Sequence, residues 1–291
     1  MSAPAHTGTA DASTSADLLP VTQMFELVDQ AVTRAGERAW TLNDLDWSAL
    51  RPERLTEADR SAVRFITFVE DHIPGYLSHF LEAFPVAAAE QELERFGFNR
   101  EYFRFLVAWA GDEERHASAL ARYQVDTGMA TREELLADLA EEGRKTFTLP
   151  YQHPVQSFTY TLIQEKATQL FYQRFRETVS EPFLKDLLGR LARDEARHFA
   201  FYTNLVGAYV ARDGAASVPG LKDVIATFRM PLADTMKGYW RWSLRVADST
   251  AYDHTEAYES VVRLVKGFVD TPGEPTVAEL GEFVQAIRRV R

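Results

Sequence analysis

The chain has 291 residues, of which 46% are hydrophobic and 12% aromatic, so it can form a substantial core in one large domain or two modest ones. Its net charge of −11 and the lack of a strong basic run argue against nucleic acid as the main partner. It contains no cysteine, which excludes disulfides, thiolate-bound metals and iron–sulfur clusters and fits a cytoplasmic location.

The first residues are expected to be unstructured. Residues 1–20 are mostly small and polar, without the basic start and apolar run of a secretory signal. No apolar run approaches the roughly 18 residues that span a bilayer, so membrane insertion is not expected. We expect a disordered leader over 1–20 and a single domain over 21–291.

Helical periodicity runs through most of the remaining chain, and no alternating run is long enough to indicate a sheet. Helices are predicted, in chain order, at 21–38, 56–84, 86–96, 99–127, 131–146, 155–179, 182–211, 221–246, 257–269 and 277–290, with a loop at 214–219. Thr56 begins a capping-box pattern, Asn99 is a candidate N-cap, and Gly128 is a candidate helix end. The long apolar stripes predict an all-α fold in which four helices form an antiparallel bundle with additional flanking helices.

Two strings repeat the same order of residues, DEERH ending at His116 and DEARH ending at His198. A single copy is typical of an ion-pairing pattern on a helix surface. In both copies, however, the glutamate and the histidine three residues later share a helix face with apolar residues. Both are therefore expected to point into the core, where a carboxylate must be protonated, paired or bound to a metal.

Two further glutamates, Glu70 and Glu165, lie on apolar helix stripes. Each of four core-facing stripes therefore carries a glutamate, and two of them also carry a histidine. This donor set is the one with which a helical bundle holds two iron or manganese ions, and the lack of thiolates counts against structural zinc. The predicted metal ligands are Glu70, Glu113, His116, Glu165, Glu195 and His198.

Three further segments extend the pattern: FVEDHIPGY around Glu70, YTLIQEKAT around Glu165, and a Met-Pro step at Met230. With them, the chain resembles the soluble acyl-acyl carrier protein desaturases, within the ferritin-like di-iron proteins, from about Trp40 to Phe268. It departs from plant members at Asp112, where they have Glu, and in the length of the connection between Glu70 and Glu113. These departures leave the metal ligands intact and leave the acyl chain length and double-bond position open.

The resemblance implies an O2-dependent desaturase that introduces a double bond into an acyl chain carried on acyl carrier protein, with two iron ions as cofactor. Manganese is an alternative at one or both positions. Asp194 is expected to face His116, and Asp112 to face His198, each acid orienting an imidazole through its second nitrogen. Pairs with Arg115 and Arg197 at the surface are the alternative roles for these acids.

Further roles follow from the same resemblance. Thr168 is a candidate to hydrogen-bond an oxygen species, with simple packing as the alternative. Trp40 resembles the tryptophan through which electrons reach the metal, with Trp47 as a rival and packing as the other role. The candidate residues for an apolar substrate slot, for which ordinary core packing is the alternative role, are Tyr76, Phe80, Trp109, Phe158, Phe171 and Met230.

Acyl carrier protein is acidic, so docking to this acidic chain requires a local basic patch. The candidates, which otherwise are ordinary surface charges, are Lys222, Arg229, Lys237, Arg241 and Arg245. A ferredoxin-type electron donor and a homodimer are expected by family analogy.

Three other functions remain open at this stage. The same ligands suit a di-iron oxygenase that hydroxylates or N-oxygenates a carrier-bound or small substrate. A ferritin-like metal-binding protein without oxidative turnover is a second alternative, although the length and extra helices count against it. An inactive homologue that binds acyl carrier protein is the third, and the complete ligand set counts against that.

Overall fold

The computed structural model describes residues 17–87, 91–151 and 153–233, together with residues 250, 259–260 and 263–264. Within these described residues the regular structure is helical, and none lies in a strand. The helices are α1 (Val21–Arg38), α2 (Glu57–Glu70), α3 (Ile73–Ala83), α4 (Leu93–Asp126), α5 (Arg132–Glu142), α6 (Pro154–Thr178), α7 (Pro182–Asp213) and α8 (Val218–Thr227). The predicted all-α class is confirmed.

Four helices, α2, α4, α6 and α7, form a bundle. α6 packs along α7, α2 packs against α4, and α4 contacts α7, while α1, α3 and α8 flank them. One hydrophobic cluster contains Tyr102 of α4, Phe158 of α6 and Tyr202 of α7, and a second contains Leu120, Tyr172 and Leu188 of the same three helices. Since α4 and α6 run from the first cluster to the second and α7 runs back, the residues between the clusters meet at one level of the bundle.

The single helix predicted over 56–84 is divided in two. α2 begins after Thr56, which forms the predicted capping box with Asp59, and it ends at Glu70, four residues before Pro74. A proline has no N–H to donate, and its ring clashes with the carbonyl group four residues earlier in a continuous helix. The helix therefore breaks directly after Glu70.

The predicted break between a helix at 86–96 and another at 99–127 is wrong. One helix, α4, runs unbroken from Leu93 to Asp126. Asn99 is not an N-cap. It is buried within α4, and its amide donates to the Pro85 carbonyl at 2.8 Å. Gly97 lies in the same stretch, where an added Cβ would meet Val21 at 2.8 Å, so α1 approaches α4 closely there. Gly128 does end the helix as predicted, with a φ of +68°.

Helix ends differ from prediction after residue 131. α5 ends at Glu142 rather than at 146, and the predicted loop at 214–219 contains a 3-10 turn and the start of α8. α8 ends at Thr227 rather than at 246, since Phe228 is extended, with φ −54° and ψ 131°, and the backbone before Pro231 disfavours helix. The helices predicted over 257–269 and 277–290 lie outside the described residues, apart from positions 259–260 and 263–264.

The chain before α1 is packed from residue 17 onward. Leu18 and Leu19 are buried in the core, and the Arg212 guanidinium donates to the Leu18 carbonyl. The expected disordered leader therefore does not extend to residue 20. No helix among the described residues has the length and apolar character needed to cross a membrane.

Glu181, the residue before α7, is a buried acid with no exposed surface (0%). It caps the N-terminus of α7 by accepting from the Leu184 N–H at 2.6 Å. It also accepts from the Arg51 N–H at 2.8 Å and from the Tyr123 hydroxyl at 3.0 Å. One carboxylate thus joins the start of α7 to α4 and to the loop that precedes α2.

We expect Glu181→Ala to lower the free energy of unfolding by about 3 kcal/mol, because it leaves a helix N-terminus and two further donors without their acceptor. Urea unfolding of the metal-free protein measures this. Glu177→Ala, which removes a surface acid with 65% of its side chain exposed, is the matched control and should cost less than about 0.5 kcal/mol. Equal losses in the two variants would contradict the role given to Glu181.

Candidate metal centre

The structure brings the six predicted ligands together at the polar level between the two hydrophobic clusters. Their donor atoms form two groups in which all atoms lie within 4.8 Å of one another. The first group is Glu70, Glu113, His116 and Glu195, and the second is Glu113, Glu165, Glu195 and His198. Glu113 and Glu195 belong to both groups, so the arrangement has room for two cations with two shared carboxylates.

Local helix geometry accounts for these positions. Glu113 and His116 lie three residues apart on α4, and Glu195 and His198 do so on α7, so each pair shares one face of its helix. Glu70 is the last residue of α2, and Glu165 lies in the middle of α6. All six side chains are buried, with at most 7% of each residue exposed.

The histidines turn Nδ1 toward the glutamates. Nδ1 of His116 lies 3.4 Å from Oε2 of Glu70 and 3.4 Å from Oε1 of Glu195. Nδ1 of His198 lies 3.4 Å from Oε2 of Glu165 and 3.5 Å from Oε2 of Glu195. These are ion-pair distances without hydrogen-bond geometry: both Nδ1 atoms and Oε1 of Glu195 lack a hydrogen-bond partner among the described residues. Unpartnered buried donors and acceptors are costly, and a metal ion fits this set of inward-facing atoms.

The raised pKa values of two of the buried glutamates also favour a bound metal ion. Burial, together with the charge of Glu113, raises the pKa of Glu70 to about 7. Burial also raises the pKa of Glu165 well above its usual range. Four buried carboxylates at one level cannot all stay ionised without compensation, and two divalent cations would match their formal charge.

An outer layer of acids holds the histidines from behind. Nε2 of His116 lies 3.1 Å from Oδ2 of Asp194, and Nε2 of His198 lies 3.2 Å from Oδ2 of Asp112. This is the crossed pairing predicted from the sequence. The alternative pairings are present as well, since Arg115 contacts Asp112 and Arg197 contacts both acids.

Asp194 is the centre of this outer layer. Burial opposes its ionisation, but His116, Arg197 and the indole of Trp40 together lower the pKa of Asp194 to about 2. Trp40 donates from Nε1 to Oδ2 of Asp194 at 2.7 Å. An ionised acid at this point fixes the orientation of the imidazole and leaves Nδ1 directed inward.

Trp47 has no such link. Its Nε1 donates to the Leu42 carbonyl at 2.7 Å, and its ring packs against Phe183. The Thr168 hydroxyl donates to the Gln164 carbonyl of its own helix at 3.1 Å. The contact of Thr168 with an oxygen species therefore stays a prediction.

Five of the six substrate-slot candidates lie together. Tyr76, Phe80, Trp109 and Phe158 belong to one hydrophobic cluster, and Met230 packs against it. Phe171 belongs to the other cluster, on the far side of the polar level. The structure therefore does not bring Phe171 into the same slot, because it lies almost two helical turns beyond Glu165 on α6.

Two side chains contact the candidate ligands in a way that sequence reasoning missed. The Tyr172 hydroxyl donates to Oε1 of Glu70, and Nε1 of Trp109 donates to Oε1 of Glu165 at 3.2 Å. Tyr172 lies seven residues after Glu165, on the same face of α6, which is the sequence signal that could have identified it.

Comparison with known proteins gives the family. A family model described as fatty acid desaturase matches residues 12–266. The chain belongs to this family. Several relatives with similar sequences are named acyl-[acyl-carrier-protein] desaturases, in agreement with the resemblance seen in the sequence.

Two relatives of this desaturase-family chain show the extent of the similarity. It is 26% identical to DesA2 of Mycobacterium tuberculosis, a candidate acyl-[acyl-carrier-protein] desaturase by its name, over 180 residues that cover 59% of this chain and 58% of that protein. It is 31% identical to acyl-[acyl-carrier-protein] desaturase 6 of rice over 123 residues, or 40% of this chain and 29% of the rice protein. The chain thus spans less than two thirds of these relatives.

Solved structures show the shared fold. The X-ray structure of DesA2 superposes with a TM-score of 0.60 at 19% identity, covering 89% of this chain and 98% of that one. A variant of an R2-like ligand-binding oxidase with an Fe/Fe cofactor superposes with a TM-score of 0.52 at 18% identity, covering 92% and 91%. These similarities confirm the ferritin-like fold class predicted for the desaturase-family chain.

Metal loading should stabilise the protein. At free Fe2+ of about 100 times the dissociation constant, each bound ion adds about 2.7 kcal/mol to the free energy of unfolding, measured as a rise in Tm under anaerobic conditions. Glu195→Gln removes the charge of a carboxylate shared by both groups and should show a much smaller rise. An unchanged Tm in the wild-type protein would count against a metal centre here.

Asp194→Asn should weaken metal binding by about 10- to 100-fold, because an amide replaces the ionised acid behind His116. Competition with a chelator measures the affinity. Asp186→Asn is the control on the same helix, since Asp186 is exposed and pairs with Arg190 at the surface. Equal affinities in the two variants would remove the role assigned to Asp194.

Proposed function

We propose that this chain is an oxidoreductase that uses O2 and a pair of iron ions to introduce a double bond into an acyl chain carried on acyl carrier protein. The observation that carries the proposal is the pair of overlapping, buried carboxylate–histidine groups in a chain of the fatty acid desaturase family. Removal of hydrogen from an unactivated methylene requires an oxidant that no amino-acid side chain supplies.

The proposed metal ligands are Glu70, Glu113, His116, Glu165, Glu195 and His198, with manganese as an alternative at one or both positions. When bound, the metal pair would supply the oxidising power by reacting with O2. The protein's own contribution is to hold the metal-binding side chains in place before the metal binds. Asp194 and Asp112 do this for the imidazoles, and the buried position keeps bulk water from the reacting carbon.

The proposed route for electrons begins at Trp40. Its indole N–H donates to Asp194 of α7, and Asp194 in turn bonds to His116 of α4. A continuous hydrogen-bonded chain therefore leads from Trp40, in the segment after α1, to a proposed metal ligand. The indole ring also lies within 6 Å of the Arg115 and Arg190 guanidinium carbons, at 5.9 and 5.8 Å. A ferredoxin-type protein is the proposed donor, by analogy with the family.

The proposed slot for the acyl chain lies in the cluster next to Glu165. Phe80 lies 6.2 Å from Trp109 between ring centroids, and Trp109 bonds to Glu165. Tyr76 and Phe158 belong to the same hydrophobic cluster, and Met230 packs against it. An apolar chain held there would have a methylene near the metal pair and would exclude water from it.

Docking of an acidic carrier protein requires cations near the mouth of the slot. Arg229 is exposed and Lys222 is half-buried, both close in sequence to Met230. Lys237, Arg241 and Arg245, which complete the predicted basic patch, lie outside the described residues. The carrier protein as partner and a homodimer as assembly are part of the proposal.

The decisive experiment supplies the reduced, iron-loaded protein with O2 and a panel of acyl carrier protein thioesters. Mass spectrometry of the product should show loss of two hydrogen atoms from one chain length. Glu113→Ala and His198→Ala should reduce turnover to below about 1%, because each removes a metal-binding side chain from a group of four. Glu114→Ala, which changes the exposed neighbour in the same string, should keep full turnover.

Other outcomes distinguish the alternatives. A gain of one oxygen atom would identify a hydroxylase or N-oxygenase on the same scaffold. Stable binding of two metal ions with no oxidation of any thioester would favour a metal-binding protein without turnover. Full turnover by Glu113→Ala would show that the ligand assignment is wrong.

A further inference from the structure

We infer that Tyr172 and Trp109 are positioning residues that hold the two unshared carboxylates of the centre, each with one oxygen turned toward its histidine. The inference rests on the proposed function, because it concerns the same metal centre. It goes beyond the ligand set by assigning a separate outer donor to each of the two metal positions.

The two unshared carboxylates have the same division between their oxygens. Glu70 belongs only to the group of His116, and its Oε1 accepts from the Tyr172 hydroxyl while its Oε2 faces Nδ1 of His116 at 3.4 Å. Glu165 belongs only to the group of His198. Its Oε1 accepts from Nε1 of Trp109 at 3.2 Å, while its Oε2 faces Nδ1 of His198 at 3.4 Å.

One oxygen of the shared carboxylate of Glu195 lacks such a restraint. Its Oε1 has no hydrogen-bond partner among the described residues, and its two oxygens lie 3.4 and 3.5 Å from Nδ1 of His116 and of His198. The two carboxylates that belong to a single group therefore each accept a hydrogen bond from outside the centre. Oε1 of the shared Glu195, which faces the interior, accepts none among the described residues.

The hydrogen bonds from Tyr172 and Trp109 restrict the rotation of the carboxylate groups that accept them. The terminal torsion of glutamate is broad, so an unrestrained carboxylate can present either oxygen or both to a cation. A hydrogen bond to one oxygen fixes the rotation and leaves the other oxygen as the inward donor. Each donor also comes from a different helix than its carboxylate: Tyr172 on α6 reaches α2, and Trp109 on α4 reaches α6.

The two restraints differ in strength. A phenol hydroxyl makes a shorter and stronger bond to a carboxylate than an indole N–H does, and the Trp109 bond is long at 3.2 Å. The position next to His116 should therefore depend more on its outer donor than the position next to His198. The two metal positions therefore differ in the metal-free protein by the hydrogen-bond donor behind each unshared carboxylate.

The test uses Co2+ alone as the probe, added to the metal-free full-length protein without O2, with its visible absorption and binding steps recorded. Tyr172→Phe should weaken one of two binding steps by about 10- to 100-fold and change its absorption bands, since Glu70 becomes free to turn. Trp109→Phe should weaken the other step by a smaller factor. Tyr102→Phe is the matched control, because that fully buried phenol bonds to the Tyr202 hydroxyl at 3.0 Å rather than to a carboxylate.

Each result has a defined meaning. The inference would be overturned if Tyr172→Phe bound Co2+ in the same steps as the wild-type protein, or if Tyr172→Phe and Tyr102→Phe changed those steps equally. It would also be overturned if Tyr172→Phe and Trp109→Phe lost the same binding step. Thermal unfolding of each metal-free variant shows whether it is folded, and Trp109→Phe tests the pairing if Tyr172→Phe is not. Failure of the wild-type protein to bind Co2+ or Fe2+ would instead overturn the proposed function, and this inference with it.

Discussion

The structure depends on the burial of four glutamates at one level of a helical bundle. Carboxylates in apolar surroundings are stable only when protonated, paired or bound to cations. Here burial raises the pKa of Glu70 to about 7 and that of Glu165 well above its usual range. The two inward-facing Nδ1 atoms have no hydrogen-bond partner among the described residues. The feature that makes this level unfavourable without metal is therefore the same feature that makes it a candidate metal centre.

The rest of the bundle is arranged so that this level is held rigidly. Hydrophobic clusters lie above and below it, and the crossed pairs of Asp194 with His116 and Asp112 with His198 join α4 to α7. Arg197 contacts both of these acids, so the two pairs form one network. Since each link crosses between helices, movement of one helix along another would break several bonds together. Rigid donors suit a centre that binds two ions in a defined arrangement.

Much of the fold was predictable because local patterns specify helices. The capping box at Thr56, the Gly128 terminus and the bounds of α1, α6 and α7 follow closely from side-chain chemistry along a single segment. The errors have physical causes that periodicity does not reveal. Pro74 breaks the second helix after Glu70, and Asn99 lies within α4 because its amide finds the Pro85 carbonyl, which is distant in sequence. Apolar periodicity also grouped Phe171 with the slot, although it packs in the opposite cluster.

By itself, the sequence determined which residue types share a helix face: a glutamate on each of four apolar stripes, and a histidine three residues after two of them. This was sufficient to propose the six ligands and the all-α class, because the helical repeat relates spacing directly to direction. Only the tertiary structure decided which glutamates are shared, which oxygen of each faces inward, and that Tyr172 and Trp109 bond to Glu70 and Glu165. Those features depend on the rotation and height of each helix relative to the others, which result from packing of side chains far apart in sequence.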